Sequence, residues 1–230
     1  MDGAGAACSR SVTPMRFSVD AILFDIDGTL VDSTAAVVRV WETWAATRGL
    51  DAAEILRVCH GRRTEDTLAM FLPAAQHPAA VAELEELERT DLDEVTALPG
   101  TQSLLPRLPA GRWAAVTSGS REVMQARLTA AGLPIPDMLV SAEAVEEGKP
   151  HPEGYLKAAA ALGRDPRRCL VVEDAPAGVQ AGRAAGARVL AVATSHSAPE
   201  LTAADAVIPD LTACEVAVTS DGLVVTASRA

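Results

Sequence analysis

The 230-residue chain has few aromatics: three Trp, three Phe and one Tyr. That scarcity argues against the stacking platforms that hold single-stranded nucleic acids. Lysine is scarcer still, with only Lys149 and Lys157 among the twenty basic residues. Acids number 31 and the formal net charge is −11, the wrong sign for a nucleic-acid binder. The same charge repels an anionic substrate, so any phosphate site must supply local positive charge, for instance from a metal. No charge-free apolar run reaches the ~18 residues of a membrane span. The four cysteines, Cys8, Cys59, Cys169 and Cys214, form no Cys-x-x-Cys pair and have no His cluster beside them. They read as reduced thiols of a cytoplasmic protein.

The first residues lack the apolar core of a secretory signal, and a transit peptide fits poorly with only Arg10 and Arg16 as bases. Residues 1–18, rich in Gly, Ala and Ser, are expected to form a disordered tail, in which Met15 is an alternative start. A core is affordable, because 49% of the chain is apolar. Short apolar runs suit strands buried on both faces: Ala21 to Phe24, Trp113 to Val116, Met138 to Val140, Cys169 to Val172, Val189 to Val192 and Ala206 to Ile208. Helical stretches lie between them at Glu122 to Ala131, Glu153 to Leu162 and Ala177 to Ala185. This alternation predicts an α/β fold with a parallel sheet covered on both faces.

Residues 34–97 break the rhythm. Val37, Val40, Trp41 and Trp44 recur at helical spacing, as do Val81, Leu84 and Leu87, with Glu83, Glu85, Glu86 and Glu88 expected outward. A helical insert over 34–97 then divides a core made of 19–33 and 98–230, and Leu98-Pro99-Gly100 returns the chain to it. Gly178, Gly182 and Gly186 form a ladder suited to close packing of a helix on the sheet. Val216 to Ser220 and Leu223 to Thr226 flank Asp221-Gly222, a hairpin signal.

Four segments carry the chemistry, each after a predicted strand. Asp25 and Asp27 lie two residues apart where open α/β sheets place their sites. Thr117-Ser118-Gly119-Ser120 offers hydroxyls and backbone N–H groups to phosphate oxygens, and also a helix N-cap. In Gly148-Lys149-Pro150 one of the two lysines provides a point charge for phosphate, although this is not a Walker A loop. Glu173 and Asp174 end the fourth strand, where oxygen ligands from Asp25, Asp174 and a backbone carbonyl suit Mg²⁺. Each segment alone has an ordinary structural explanation; the ordered set is specific.

Phe24-Asp25-Ile26-Asp27-Gly28-Thr29-Leu30, Thr117-Ser118-Gly119-Ser120, Gly148-Lys149-Pro150 and Val172-Glu173-Asp174 resemble, in order, the four motifs of the haloacid dehalogenase superfamily. The resemblance spans Val19 to about Ile208 and implies a Rossmann-like core with a small helical cap. His60-Gly61-Arg62-Arg63-Thr64, Gly148-Lys149-Pro150-His151-Pro152-Glu153 and Glu173-Asp174-Ala175-Pro176-Ala177-Gly178 are similar to the sugar and polyol phosphatases of that superfamily, which include 2-deoxyglucose-6-phosphate and glycerol-phosphate phosphatases. By this resemblance Asp25 is the nucleophile, forming an aspartyl-phosphate, and Asp27 the general acid and base. Asp25, Asp174 and the Asp27 carbonyl hold Mg²⁺. Ser118, the Gly119 N–H and Lys149 hold the phosphoryl oxygens, and Glu173 orients waters or Lys149.

In the insert, His60, Arg62 and Arg63 are candidate substrate contacts, with salt bridging to Glu65 or Asp66 as the alternative use of an arginine. Cap opening is expected at Ser33-Thr34 and Pro99-Gly100. His151 reads as a loop residue; His77 and His196 carry no assignment. The expected partner is a small sugar or polyol phosphate, with no nucleic acid and no membrane, and a monomer is the expected state. A β-phosphoglucomutase-like phosphotransferase is the main alternative. His60 and Thr64 depart from that enzyme's cap pattern, and Thr117-Ser118-Gly119 from its second motif. Haloacid dehalogenation would leave Asp27 and Asp174 idle. A non-catalytic regulator would be expected to lose a nucleophile or metal ligand that this chain keeps.

Overall fold

The computed structural model describes residues 14–228. In chain order the core opens with β1 (Met15–Val19), β2 (Ala21–Phe24) and β3 (Val31–Asp32). The insert supplies α1 (Thr34–Ala46), α2 (Ala52–Cys59), α3 (Thr64–Leu68) and α4 (His77–Thr90), and ends at β4 (Thr96–Ala97). The core resumes with α5 (Thr101–Leu104), β5 (Trp113–Val116), α6 (Arg121–Ala130), β6 (Leu139–Val140), α7 (Glu153–Ala161), β7 (Cys169–Glu173) and α8 (Pro176–Ala184). It closes with β8 (Arg188–Val192), β9 (Ala206–Ile208), β10 (Cys214–Thr219) and β11 (Gly222–Ala227).

Six parallel strands form the main sheet in the order β6-β5-β2-β7-β8-β9. All six expected strands are present. Their runs are unbroken in apolar residues because both faces are covered. Ile22, Phe24, Leu170, Val172 and Leu190 pack into one apolar cluster, and Leu23, Ala114, Val171, Val189 and Ala191 into a second across the sheet. From β2 the chain runs outward to β5 and β6, then returns to β7 and runs the other way to β8 and β9, which puts the topological switch point at the C-terminal ends of β2 and β7. Gly182 allows α8 close approach: a Cβ there would press on Val171 and Val189.

The insert has its own apolar cluster, in which Val40, Trp41 and Trp44 of α1 meet Ile55, Leu68, Ala80 and Leu84. Trp41 and Trp44 pack edge to face at 5.6 Å, a geometry worth about 1 kcal/mol beyond the area buried.

Four expectations change. Residues 15–18 are not tail: β1 pairs along its length with β11, and Phe17 and Val19 alternate into the core. Residues 1–13 lie outside the described residues. The insert ends in a short strand, β4, which pairs with β3 through Val31↔Ala97 and Asp32↔Thr96, so the two crossings between insert and core run side by side. The hairpin is present with its turn one residue earlier, at Ser220-Asp221, because Thr219 pairs with Gly222. Gly222 is needed instead for its positive φ of 149° and its close approach to the Val19 carbonyl. Glu88 points inward, as the site shows.

Candidate active site

The C-terminal ends of β2, β5, β7 and β8 bring Asp25, Thr117, Glu173 with Asp174, and Ser195 to one edge of the sheet, beneath the insert. Asp25 continues β2 by donating its N–H to the Val172 carbonyl at 3.0 Å. The turn after it depends on Gly28, whose φ is 84° and whose N–H donates to the Val31 carbonyl at 2.7 Å. A Cβ at Gly28 would overlap the Asp174 carboxylate. This glycine is therefore required twice, by conformation and by space.

Asp25, Glu173 and Asp174 are buried, and one oxygen from each lies within 4.8 Å of the others. Lys149, also buried, donates to Asp25 Oδ1 and, at 2.6 Å, to Glu173 Oε1. Glu173 is fully engaged. Its Oε1 also accepts from Tyr155 Oη at 2.7 Å, and its Oε2 accepts the Asp174 and Ala175 N–H groups at 3.0 and 3.3 Å. Gly178 makes room for it, since a Cβ there would overlap its carboxylate. Asp174 accepts from Thr29 Oγ1 at 3.3 Å and from Ser195 Oγ.

Burial drives the Asp174 carboxyl up to about 7, with Glu173 adding to the rise and Ser195 and Lys149 opposing it. Burial also raises Asp25 well above the ordinary carboxylate range, against the pull of Lys149, with Glu173 and Asp174 adding to it. One lysine thus faces three buried acids, and the deficit is one that a divalent cation fits. Glu173, with four donors, is the least available of the three, which leaves the open oxygen of Asp25 and the Asp174 carboxylate as the candidate cation ligands.

Above these acids lies a cavity of about 90 Å³, room for several waters or a small ligand group. Asp25, Asp27, Ser118, Gly119 and Asp174 line it from the core, and Trp41, His60, Arg62 and Glu88 from the insert. Ser118 Oγ donates to the Gly61 carbonyl at 2.9 Å, which seats the insert on the loop after β5. The Gly119 N–H donates to Thr117 Oγ1 at 3.1 Å. Both phosphate-binding candidates of this loop therefore line the cavity while holding partners within the chain. Arg63 does not reach the cavity: it pairs with Asp66 at 2.9 Å and donates to the Val145 carbonyl at 3.3 Å. The salt-bridge alternative applies to it, whereas the side chain of Arg62, which is exposed, has no hydrogen bond among the described residues. His151 pairs with Glu147 in a surface loop.

Asp27 has a setting that the sequence did not suggest. Oδ1 accepts from Ser33 Oγ at 2.7 Å and Oδ2 from Arg127 Nη1 at 2.8 Å. Asp25 and Glu173 are not among these hydrogen-bond partners. Arg127, on the core helix α6, is 2% exposed and reaches Glu88 of the insert with Nη2 at 3.1 Å. Its Nε is buried without a partner. Arg127, Glu88, Tyr155, Ser33 and Ser195 are site residues that sequence reasoning missed. Two signals were available: Tyr155 is the single tyrosine of the chain, and Ser195 follows a buried strand just as Asp25 does.

The haloacid dehalogenase-like hydrolase family profile matches residues 19–186, and the chain belongs to that family. Among curated proteins it is 47% identical over 194 residues to hexitol phosphatase A of Escherichia coli, covering 82% of this chain and 90% of that one. It is 37% identical over 194 residues to glycerol-1-phosphate phosphohydrolase 2 of Saccharomyces cerevisiae, covering 79% and 78%. Among solved structures, a hydrolase from Pseudomonas syringae superposes with a TM-score of 0.75 at 25% identity, over 84% of this chain and 94% of that one. No helix among the described residues is long and apolar enough to cross a membrane.

Proposed function

We propose that the chain is a Mg²⁺-dependent phosphatase of small sugar or polyol phosphate monoesters, acting through an aspartyl-phosphate. The observation that carries this is Asp25: a buried carboxylate at the switch point, held by Lys149 on Oδ1 and without a hydrogen bond on Oδ2 among the described residues. The similarity to a hexitol phosphatase and a glycerol-phosphate phosphohydrolase supports the substrate class.

Asp25 and Asp174, with the Asp27 carbonyl, would hold the cation, which offsets the charge of nucleophile and phosphate when bound. An Asp25 oxygen attacks phosphorus as the P–O bond to the alcohol breaks. Asp27, in its acid form and released from Arg127, delivers its proton to the departing alkoxide. It then takes a proton from a water that attacks the phosphorylated Asp25, returning the carboxylate and inorganic phosphate. Lys149, Ser118 and the Gly119 N–H stabilise the phosphoryl oxygens, the latter two after exchanging their present partners. Glu173 and Tyr155 fix Lys149. The insert excludes water, and its residues His60 and Arg62 line the leaving-group side.

The test is phosphate release from a panel of sugar and polyol phosphates, with Mg²⁺, with EDTA, and with Asp25→Asn. Metal-dependent release that the variant abolishes is expected. Isomerised sugar phosphate without free phosphate would replace this reading with a mutase, and metal binding without any turnover with a regulator.

A further inference from the structure

Glu88 is the one acid that the insert contributes to the cavity lining among the described residues, and the mechanism above gives it no task. It belongs to the last turns of α4, where Glu83 and Glu86 face solvent and Glu85 is half-buried. Its side chain is only 14% exposed, and Oε1 is fixed by Arg127, which is itself fixed by Asp27. Oε2 has no hydrogen-bond partner among the described residues. The cavity wall from the insert thus combines a held carboxylate with an unused acceptor and the apolar ring of Trp41. That pairing suits a hydroxylated carbon chain, whose C–H groups meet the ring and whose O–H groups donate to the acid.

A second anionic group would meet the opposite fate. It would lie beside Glu88 in a cavity that also holds Asp25, Asp27 and Asp174, while Arg127 is already shared between two acids. Arg62, the cation on the insert side, is exposed. Like charges in a low-dielectric site are strongly disfavoured.

We infer that Glu88 is a specificity residue that accepts a hydroxyl of an uncharged sugar or polyol chain and rejects substrates with a second phosphate. The inference rests on the phosphatase reading and narrows it to monophosphates. It also opposes mutase chemistry, because return of the phosphoryl group to a second hydroxyl passes through a bisphosphate.

The experiment compares kcat/KM for a hexitol 6-phosphate and a hexitol 1,6-bisphosphate in the full chain with Mg²⁺, for wild type, Glu88→Gln and Glu88→Asp. Calorimetric binding of both to Asp25→Asn runs alongside. Wild type is expected to favour the monophosphate at least 100-fold. Glu88→Gln, which keeps a carbonyl for Arg127, is expected to shrink that ratio at least tenfold, with the monophosphate loss carried by KM. Glu88→Asp keeps the charge and the preference. Wild-type parity between the two substrates overturns the inference whether or not the variants fold. Equal loss on both in Glu88→Gln does so too, by assigning Glu88 to holding Arg127. Binding that prefers the monophosphate without phosphate release would instead sink the phosphatase reading and leave Glu88 its role.

Discussion

Without a divalent cation, this protein is expected to lose stability as the pH rises from about 4 to about 7. Asp174 is the main cause: its carboxyl moves from an ordinary 3.8 to about 7 because it is buried beside Glu173. In that window the folded chain keeps a proton that the unfolded chain has released. Stability therefore falls as pH rises, and crossing the window costs about 4 kcal/mol at ~1.4 kcal/mol per pH unit. Asp25 acts in the same direction. The carboxyls that are shifted down, such as Glu153 and Asp165 at about 2 beside Lys157 and Arg167, lose their contribution only in stronger acid, so the two regimes separate. Mg²⁺ takes the ionised carboxylates, and at a hundred times its Kd adds about 2.7 kcal/mol. The assay is urea unfolding at pH 5, 6, 7 and 8, with EDTA or with Mg²⁺. With EDTA the midpoint is expected to drop between pH 5 and pH 7 and to fall less steeply beyond; with Mg²⁺ the drop is offset, and the Mg²⁺ effect grows with pH up to that point. Asp174→Asn is expected to flatten the EDTA series. A flat or rising EDTA series in the wild type would refute the charge accounting of the site.

Gly28→Ala combines an unfavourable left-handed residue, about 1–2 kcal/mol, with a Cβ placed against Asp174; thermal unfolding is expected to show that loss together with weaker Mg²⁺ protection, and unchanged Mg²⁺ affinity would contradict the packing argument. Tyr155→Phe removes one of four donors from buried Glu173. A hydrogen bond to a charged acceptor is worth about 2 kcal/mol, so denaturant titration is expected to report a loss near that size, and less than 0.5 kcal/mol would show the bond to be idle. Arg63→Ala releases a contact between the insert and the Val145 carbonyl. Faster limited proteolysis within 34–97 and a several-fold rise in KM are expected, and neither would change if the insert is seated without it.

The parallel sheet was legible because each strand is buried on both faces and so appears as an unbroken apolar run. Asp25, Thr117 and Asp174 were legible because they end those runs. The strand Met15–Val19 was not, since the Gly, Ala and Ser of the preceding residues masked a plain alternation. Glu88 and Arg127 were hidden for a different reason. Glu88 stands one turn from buried Leu84 and Arg127 one turn from buried Val123, so helical spacing puts both on the apolar faces, and only their charge made them look solvent-facing. What no periodicity within either helix records is that α4 packs against α6 and pairs the two charges. The spacing of Arg62 and Arg63 could not divide their tasks either; that depends on Asp66 lying within reach of one and not the other.

The clustered acids also resolve the difficulty posed by a chain of net charge −11. Fully ionised, Asp25, Glu173 and Asp174 would carry three negative charges against Lys149, a local excess of two, at a buried place where water offsets it poorly. Protons are one remedy, which is why burial raises Asp25 and Asp174. A divalent cation is the other on the proposed reading, and its two charges would bring the cluster to neutrality before a phosphate arrives. The two remedies exclude each other on the same oxygens, so metal binding must release protons. The surrounding surface then matters little for the reaction, because a cluster this buried sets its own potential, while the remaining acids keep the wider surface unattractive to polyanions. On the proposed reading Glu88 extends that logic into the cavity: the acid cluster with its cation would admit one phosphate, and the insert would offer the rest of the substrate an acceptor in place of a second cation.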